Sequence, residues 1–183
     1  MAELSPMMQQ YLEIKKQHKD EILFYRIGDF YEMFYDDALT ASKELDLTLT
    51  GKQCGQAERA PMCGVPFHSY EGYVARLIAK GYKVAICEQM EDPATAKGLV
   101  KREIIRTVTP GTVLDEACLE AGRSNYLCGV YLTDTAAGLC AADISTGQAQ
   151  VTAFTGAQRL TGLINELGRF APAEAVMNAA AYD

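Results

Sequence analysis

Between Glu21 and Ala38 the chain sets six aromatic residues, Phe24, Tyr25, Phe30, Tyr31, Phe34 and Tyr35, and breaks them once with Gly28-Asp29. Glu21 to Ile27, rich in Ile, Leu, Phe and Tyr, reads as a strand that the Gly-Asp pair ends. From Phe30 the spacing of Phe34, Ala38, Ala41 and Leu45 predicts a helix with one apolar face. A strand, a tight break and a helix, delivered with this many rings, must form part of a layered α/β or α+β core.

The rest of the chain agrees with that class. A helix is expected from about Ser5, with Pro6 in its first turn and Met7, Met8, Tyr11, Leu12 and Ile14 at helical spacing. Leu47 to Thr50 alternates as a short strand, and a polar loop from Gly51 to Arg59 leads to a strand and turn over Pro61 to Phe67. Ser69 is placed as an N-cap for a helix burying Tyr73, Val74, Leu77 and Ile78, which Gly81 stops. Tyr82 to Cys87 and Lys101 to Val108 read as further strands. Thr109-Pro110-Gly111 opens a polar connection running to about Asn125. Beyond it Tyr126 to Leu132, Leu139 to Ile144 and Ala149 to Phe154 predict a three-stranded meander. A helix over Gln158 to Leu167, ended by Gly168, and a fourth strand at Ala175 to Met177 follow. The second unit is expected to be an incomplete domain.

At 183 residues the chain has room for one large domain or two small ones. No apolar run reaches the roughly 20 residues of a membrane helix, and the polar start lacks a signal-peptide core, which points to a cytoplasmic protein. Six cysteines without a Cys-x-x-Cys spacing read as reduced thiols rather than a disulfide framework or a zinc site. The net charge of −7 excludes a generic basic nucleic-acid binder, yet it is unevenly spread. Residues 1–110 carry 14 Lys+Arg against 16 Asp+Glu, whereas the remainder carries 3 against 8. Any nucleic-acid-facing surface should therefore lie in the first part, as a local patch; the charge by itself does not propose one.

Two readings of Phe30 and Glu32 compete on spacing alone. In the first, Asp29 and Glu32 form a capping box and Phe30 is a core aromatic. In the second, Phe30 is held at an edge from which it enters a minor groove and stacks on a base. Unstacking one step costs on the order of a few kcal/mol, less where a mispair has already weakened it. Glu32 then contributes only by bonding a base edge. A carboxylate accepts from a thymine or guanine ring N–H; to meet a purine ring nitrogen it must itself be protonated. Its charge also penalises insertion into normal duplex.

The run Phe24-Tyr25-Arg26-Ile27-Gly28-Asp29-Phe30-Tyr31-Glu32-Met33-Phe34 resembles the N-terminal domain of the MutS family of DNA mismatch repair proteins. Pro61 to His68, Val84 to Gln89, Asp92-Pro93-Ala94, Lys97-Gly98, Arg106 to Thr112 and Asp143 to Gly147 continue the resemblance in order. It covers essentially the whole chain; Met33 stands where Leu is more usual. The resemblance implies that Phe30 is the wedge on the mispaired base and Glu32 its hydrogen-bonding carboxylate. It further implies a mismatch-binding domain at residues 1–109, a linker at 110–123, and the first part of a ribonuclease-H-like connector domain at 124–183. Implied partners are double-stranded DNA with mismatches or small loops, a second subunit in a full-length homodimer, and a MutL-type repair protein. No Gly-x-x-x-x-Gly-Lys-[Ser/Thr] loop occurs, so ATP and Mg2+ chemistry is expected only in the full-length protein and no cofactor or catalysis here.

Lys97, Lys101, Arg102 and Arg106 form a basic cluster along the sequence, read either as a solvated strand face or as phosphate contacts. Met62, Gly64 and Pro66 are placed beside the wedge as groove-lining or turn residues. Two other functional classes remain for the second unit. One is a metal-dependent nuclease using Asp134 and Asp143, and the other is a protein-interaction module.

Overall fold

A computed structural model describes residues 4–55, 57–114, 118–119 and 121–182. The chain divides into two compact units, Met1–Val108 and Thr109–Asp183. Both are mixed α/β.

The first unit is built on a six-stranded sheet in the order β3-β4-β2-β1-β5-β6. Helix α1 (Pro6–Gln17) precedes it, with the Ser5 hydroxyl accepting from the Met8 N–H and Pro6 in the first turn. Strand β1 (Glu21–Ile27) turns directly into β2 (Phe30–Phe34), which leads to α2 (Tyr35–Leu45). Strands β3 (Thr50–Lys52) and β4 (Ala60–Pro66) follow, then a 3-10 turn at Phe67–Ser69 and α3 (Tyr70–Ala79). Strands β5 (Lys83–Gln89) and β6 (Arg102–Val108) complete the unit. β1 and β5 run parallel while the remaining pairs are antiparallel.

The expected helix at Phe30 is instead a strand. Ile27 stands opposite Phe30, so Gly28 and Asp29 are the two residues of a hairpin turn. Gly28 has φ +57° and Asp29 is not left-handed, which places the glycine where a type II′ turn requires it. β2 is paired on both sides, with β1 and with β4. Its alternating side chains are buried on both faces, and that burial overrides the local helical spacing. Helix α2 begins only after Phe34, which caps it without a side-chain bond. The Asp29–Glu32 capping box does not form.

Two smaller expectations also change. The stretch after α2 turns at Asp46, φ +57°, and strand pairing begins only at Thr50. Ser69 precedes α3 but makes no side-chain cap bond, because the 3-10 turn already leads into the helix.

Alternation divides β2 between two layers. Phe34 lies in the core beneath α1, where its ring meets Tyr11 at 5.0 Å, and Tyr11 meets Tyr25 at 5.4 Å. Tyr31 and Met33 are buried on the opposite side, with Tyr31 against Tyr70 of α3 at 4.8 Å. Asp37 ties these layers together. It accepts from the Leu23 N–H at 2.9 Å and pairs with Lys15 at 2.8 Å.

The second unit is a four-stranded sheet in the order β10-β7-β8-β9. Its strands are β7 (Tyr126–Leu132), β8 (Ala136–Asp143), β9 (Gln148–Thr155) and β10 (Glu174–Met177), with β10 parallel to β7. Helix α4 (Arg159–Phe170) contributes Leu163 and Phe170 to the core, and a short α5 (Ala179–Tyr182) follows β10. Gly168 does not end α4. The helix continues to Phe170, whose ring packs on Tyr126 at 5.0 Å, and Ala171 closes it at φ +45°.

Candidate nucleic-acid interface

The row Phe34, Glu32, Phe30 runs along one face of β2 from core to solvent. Phe34 is fully buried, Glu32 partly buried, and Phe30 is 47% exposed. A large apolar ring exposed one residue beyond a tight turn contrasts with the other five aromatics of the segment, none of which is exposed.

The turn beneath Phe30 is held from several directions. The Phe67 N–H donates to the Asp29 carbonyl at 2.9 Å. Arg26 Nε donates to the Gly28 carbonyl, and its guanidinium lies over the Phe67 ring with 3.8 Å to the centroid. Arg26 also donates to Glu88 Oε1 at 2.9 Å, and the Tyr31 hydroxyl donates to the same oxygen. Burial and the neighbouring Glu88 carboxylate push the Tyr31 phenol well above its usual range, so it remains a donor.

Glu32 is placed by its cross-strand neighbours. It stands opposite Gly64 on β4, where a Cβ would come within 3.6 Å of Glu32 Cγ and 3.3 Å of the Tyr31 carbonyl. A side chain at position 64 would crowd the Tyr31 carbonyl, while the Glu32 side chain itself extends toward β3. There Lys52 Nζ meets Glu32 Oε2 at 2.5 Å. Sequence reading missed Lys52, since 20 residues separate the pair and only the β2-β4-β3 register joins them.

Of the residues expected beside the wedge, Pro66 stands opposite Phe30 and Met62 opposite Phe34. Both are half-buried on β4; Pro66 lies beside Phe30, whereas Met62 lies at the inner end of the row, packed against the core with Phe34.

The basic cluster separates. Arg102 is buried: Nε donates to the Arg26 carbonyl at 2.7 Å, Nη1 donates to Gln10 and Val100, and the guanidinium lies 4.9 Å from the Tyr25 ring centroid. These bonds give Arg102 an internal structural role. The bulge in β6 sends its neighbours apart. Ile104 pairs with Cys87 and Arg106 with Ile86, adjacent β5 residues that face opposite ways. Arg106 is exposed on the face opposite Arg102 and Ile104. Lys101 pairs with Glu103 at 2.5 Å, and Lys97 is exposed in the loop before β6.

In the second unit, Asp143 is committed to a turn. Its Oδ1 accepts from the Ser145 hydroxyl and N–H, and its Oδ2 from the Asn125 N–H. The Ser145 hydroxyl and these N–H groups hold its carboxyl below the usual range. Asp134 is exposed in the β7–β8 turn. Among the described residues no three His, Cys, Asp or Glu gather as metal ligands.

A two-unit α/β chain whose first unit presents an aromatic ring and a carboxylate along one strand row matches a known pair of domains. Residues 5–117 match MutS domain I and residues 125–183 match MutS domain II. The chain belongs to the MutS family. It is 59% identical over 178 residues to the DNA mismatch repair protein MutS of Acetivibrio thermocellus, covering 97% of this chain and 20% of that protein. The MutS proteins of Lachnoclostridium phytofermentans and Clostridioides difficile are 58% and 55% identical over the same share of this chain, with 19% and 18% of their own lengths covered. The chain thus spans about a fifth of the length of the curated relatives it matches.

Proposed function

We propose that residues 1–109 sense mispaired bases and small loops in double-stranded DNA, and that residues 124–183, joined to them by 110–123, begin a connector domain that relays the bound state. Phe30 enters the minor groove and stacks on the mispaired base. Glu32, on the same face of β2, offers a carboxylate to its edge. The observation carrying this reading is the exposed Phe30 ring at the end of a row rooted in the core, one residue past a turn held by Arg26 and Phe67.

The energetics favour a mispair. Stacking an aromatic side chain on a base contributes about 1–3 kcal/mol, while unstacking a duplex step costs on the order of a few kcal/mol. The balance is close, so a step already weakened by mispairing decides it. A rigid probe loses little further entropy on insertion, which is what a pinned hairpin supplies. Pro66 lines the groove side of the probe. Lys97 and Arg106, both exposed, supply phosphate contacts that position without reading sequence. Most of the grip belongs to the rest of a full-length, cytoplasmic homodimer that uses ATP and Mg2+ and engages a MutL-type partner.

In a full-length MutS polypeptide carrying this sequence, Phe30→Ala should bring affinity for a mismatched duplex down to that for the matched duplex. Retention of the mismatch preference in that variant would falsify the wedge assignment.

A further inference from the structure

We propose that Lys52 is a specificity-determining partner of Glu32: it holds the recognition carboxylate by one oxygen and carries its counter-charge into the DNA complex. This rests on the reading of Glu32 as a base-contacting group. Three observations lead to it. Lys52 Nζ meets Glu32 Oε2 at 2.5 Å, with side-chain exposures of 29% and 14%, so the pair sits largely out of water at the sheet surface. Glu32 Oε1 accepts from no described residue and is left to meet a base. The lysine also passes over the Phe34 ring, with Nζ 5.8 Å from the centroid, which holds its chain along the row that ends at Phe30.

The physical need for such a residue is specific. A lone carboxylate brought into a groove is repelled by every phosphate within a screening length of about 8 Å. Paired with Lys52, Glu32 enters as part of a neutral unit while one oxygen keeps its acceptor capacity. A carboxylate has about four lone-pair sites, so one ammonium donor does not exhaust it. The ammonium also limits how the carboxylate can turn, because three strands in register hold both residues. Lys52 stands opposite Ala60 and Glu32 opposite Gly64, so the lysine reaches along the sheet, over the Phe34 ring, to meet the carboxylate.

Lys52 is therefore a positioning residue acting through Glu32 and not a phosphate anchor, and the two roles give different readouts. The experiment measures matched and single-mismatch duplex affinity across a salt series. It uses a full-length MutS polypeptide carrying this sequence and its Lys52→Gln, Lys52→Arg, Glu32→Ala and Lys52→Gln/Glu32→Ala variants, each checked by thermal melting. Lys52→Gln should weaken mismatch binding roughly three- to tenfold, in the range of coupled contact pairs. Lys52→Arg should restore most of the loss, and Lys52→Gln should add nothing once Glu32 is Ala. The salt slope of matched-duplex binding should stay unchanged. A slope shallower by about 0.9 would make Lys52 a phosphate contact and overturn the proposal. An equal Lys52→Gln effect with and without Glu32, or no effect of Lys52→Gln while Glu32→Ala alters preference, would overturn it too. Unaltered preference in Glu32→Ala alone would instead remove the base-contacting role of Glu32 on which the proposal stands.

Discussion

The guanidinium of Arg26 lies 3.8 Å over the ring of Phe67, and the Phe67 N–H in turn donates to the Asp29 carbonyl of the β1–β2 turn. One arginine thereby joins the hairpin tip to the 3-10 turn before α3, and through Glu88 to β5. Arg26→Lys keeps the charge but loses the planar fork and the stacking face. It should cost about 1–2 kcal/mol of stability, only part of what the cation–π contact and the charge-assisted hydrogen bond contribute together, since the lysine keeps the charge. Amide exchange at Phe67 should accelerate by more than exchange at core β5 amides. Equal protection at Phe67 in both proteins would mean that the tip does not depend on Arg26.

Gly111 is a second place where geometry sets a sharp limit. An added Cβ would stand 2.8 Å from Glu174 Cβ and 3.1 Å from Leu127 Cδ1, inside the junction of the Thr109–Thr112 turn with β7 and β10. The Gly111 N–H also donates to Glu174 Oε2 at 3.1 Å, so the turn cannot move away freely. Gly111→Ala should destabilise the second unit by about 1–3 kcal/mol. Gly122→Ala, with open space around its Cβ but a φ of +77°, should cost only about 1 kcal/mol. Denaturant melts of the two variants compare them, and equal losses would contradict the packing account.

Thiol chemistry provides a test of burial. Cys63 and Cys87 lie in the first unit's core, and burial pushes their thiols up to about 11 and about 12. At pH 8 a thiol near 12 is roughly one part in ten thousand thiolate, and the thiolate is the reactive species. In the native protein an aromatic disulfide reagent should leave Cys63 and Cys87 unmodified while Cys118 and Cys140, both partly exposed, react first. Mass spectrometry of the labelled peptides reads the order. Rapid labelling of Cys87 without unfolding would show that the β5–α1 layer opens.

The Asp143 turn should produce an acid-side dependence. Hydrogen bonds from Ser145, Thr146 and Asn125 lower its folded pKa, whereas the unfolded carboxyl keeps a value of about 4. The folded state therefore binds the proton less readily than the unfolded one. The stabilisation is fully present above the unfolded value and is lost as pH falls through the lowered folded value. Asp143→Asn removes this titration, so the variant should lose less stability than the parent between pH 5 and pH 3 on a relative scale. Parallel pH profiles would assign the acid sensitivity to other carboxylates.

Much of the architecture was legible because burial writes itself into short-range patterns. The β1 and β5 apolar runs, the meander of the second unit and the α1 start at Ser5-Pro6 are each fixed by local chemistry, alternation or capping. Phe30 to Phe34 misled for a physical reason. Phe34, Ala38, Ala41 and Leu45 do repeat at helical spacing, but Phe34 reaches the core as a strand residue and the other three as helix residues. The four basic residues from Lys97 to Arg106 misled in the same way. One bulged residue near Ile105 sends Arg102 and Arg106 to opposite faces, and no sequence spacing announces a bulge.

Sequence alone determined the mixed α/β class and the family resemblance and singled out Phe30 and Glu32 as candidates, because the Gly28-Asp29 break and the motif around it are encoded within a few adjacent positions. That Phe30 begins a strand and not a helix was decided by the sheet. Only the tertiary structure decided what surrounds that pair. Lys52, Gly64, Phe67 and Glu88 come from four other segments, and strand register and helix packing alone bring them to within hydrogen-bonding or van der Waals distance of the β1–β2 hairpin. Contacts between distant segments depend on the balance of burial over the whole sheet, so no local stretch of residues specifies them.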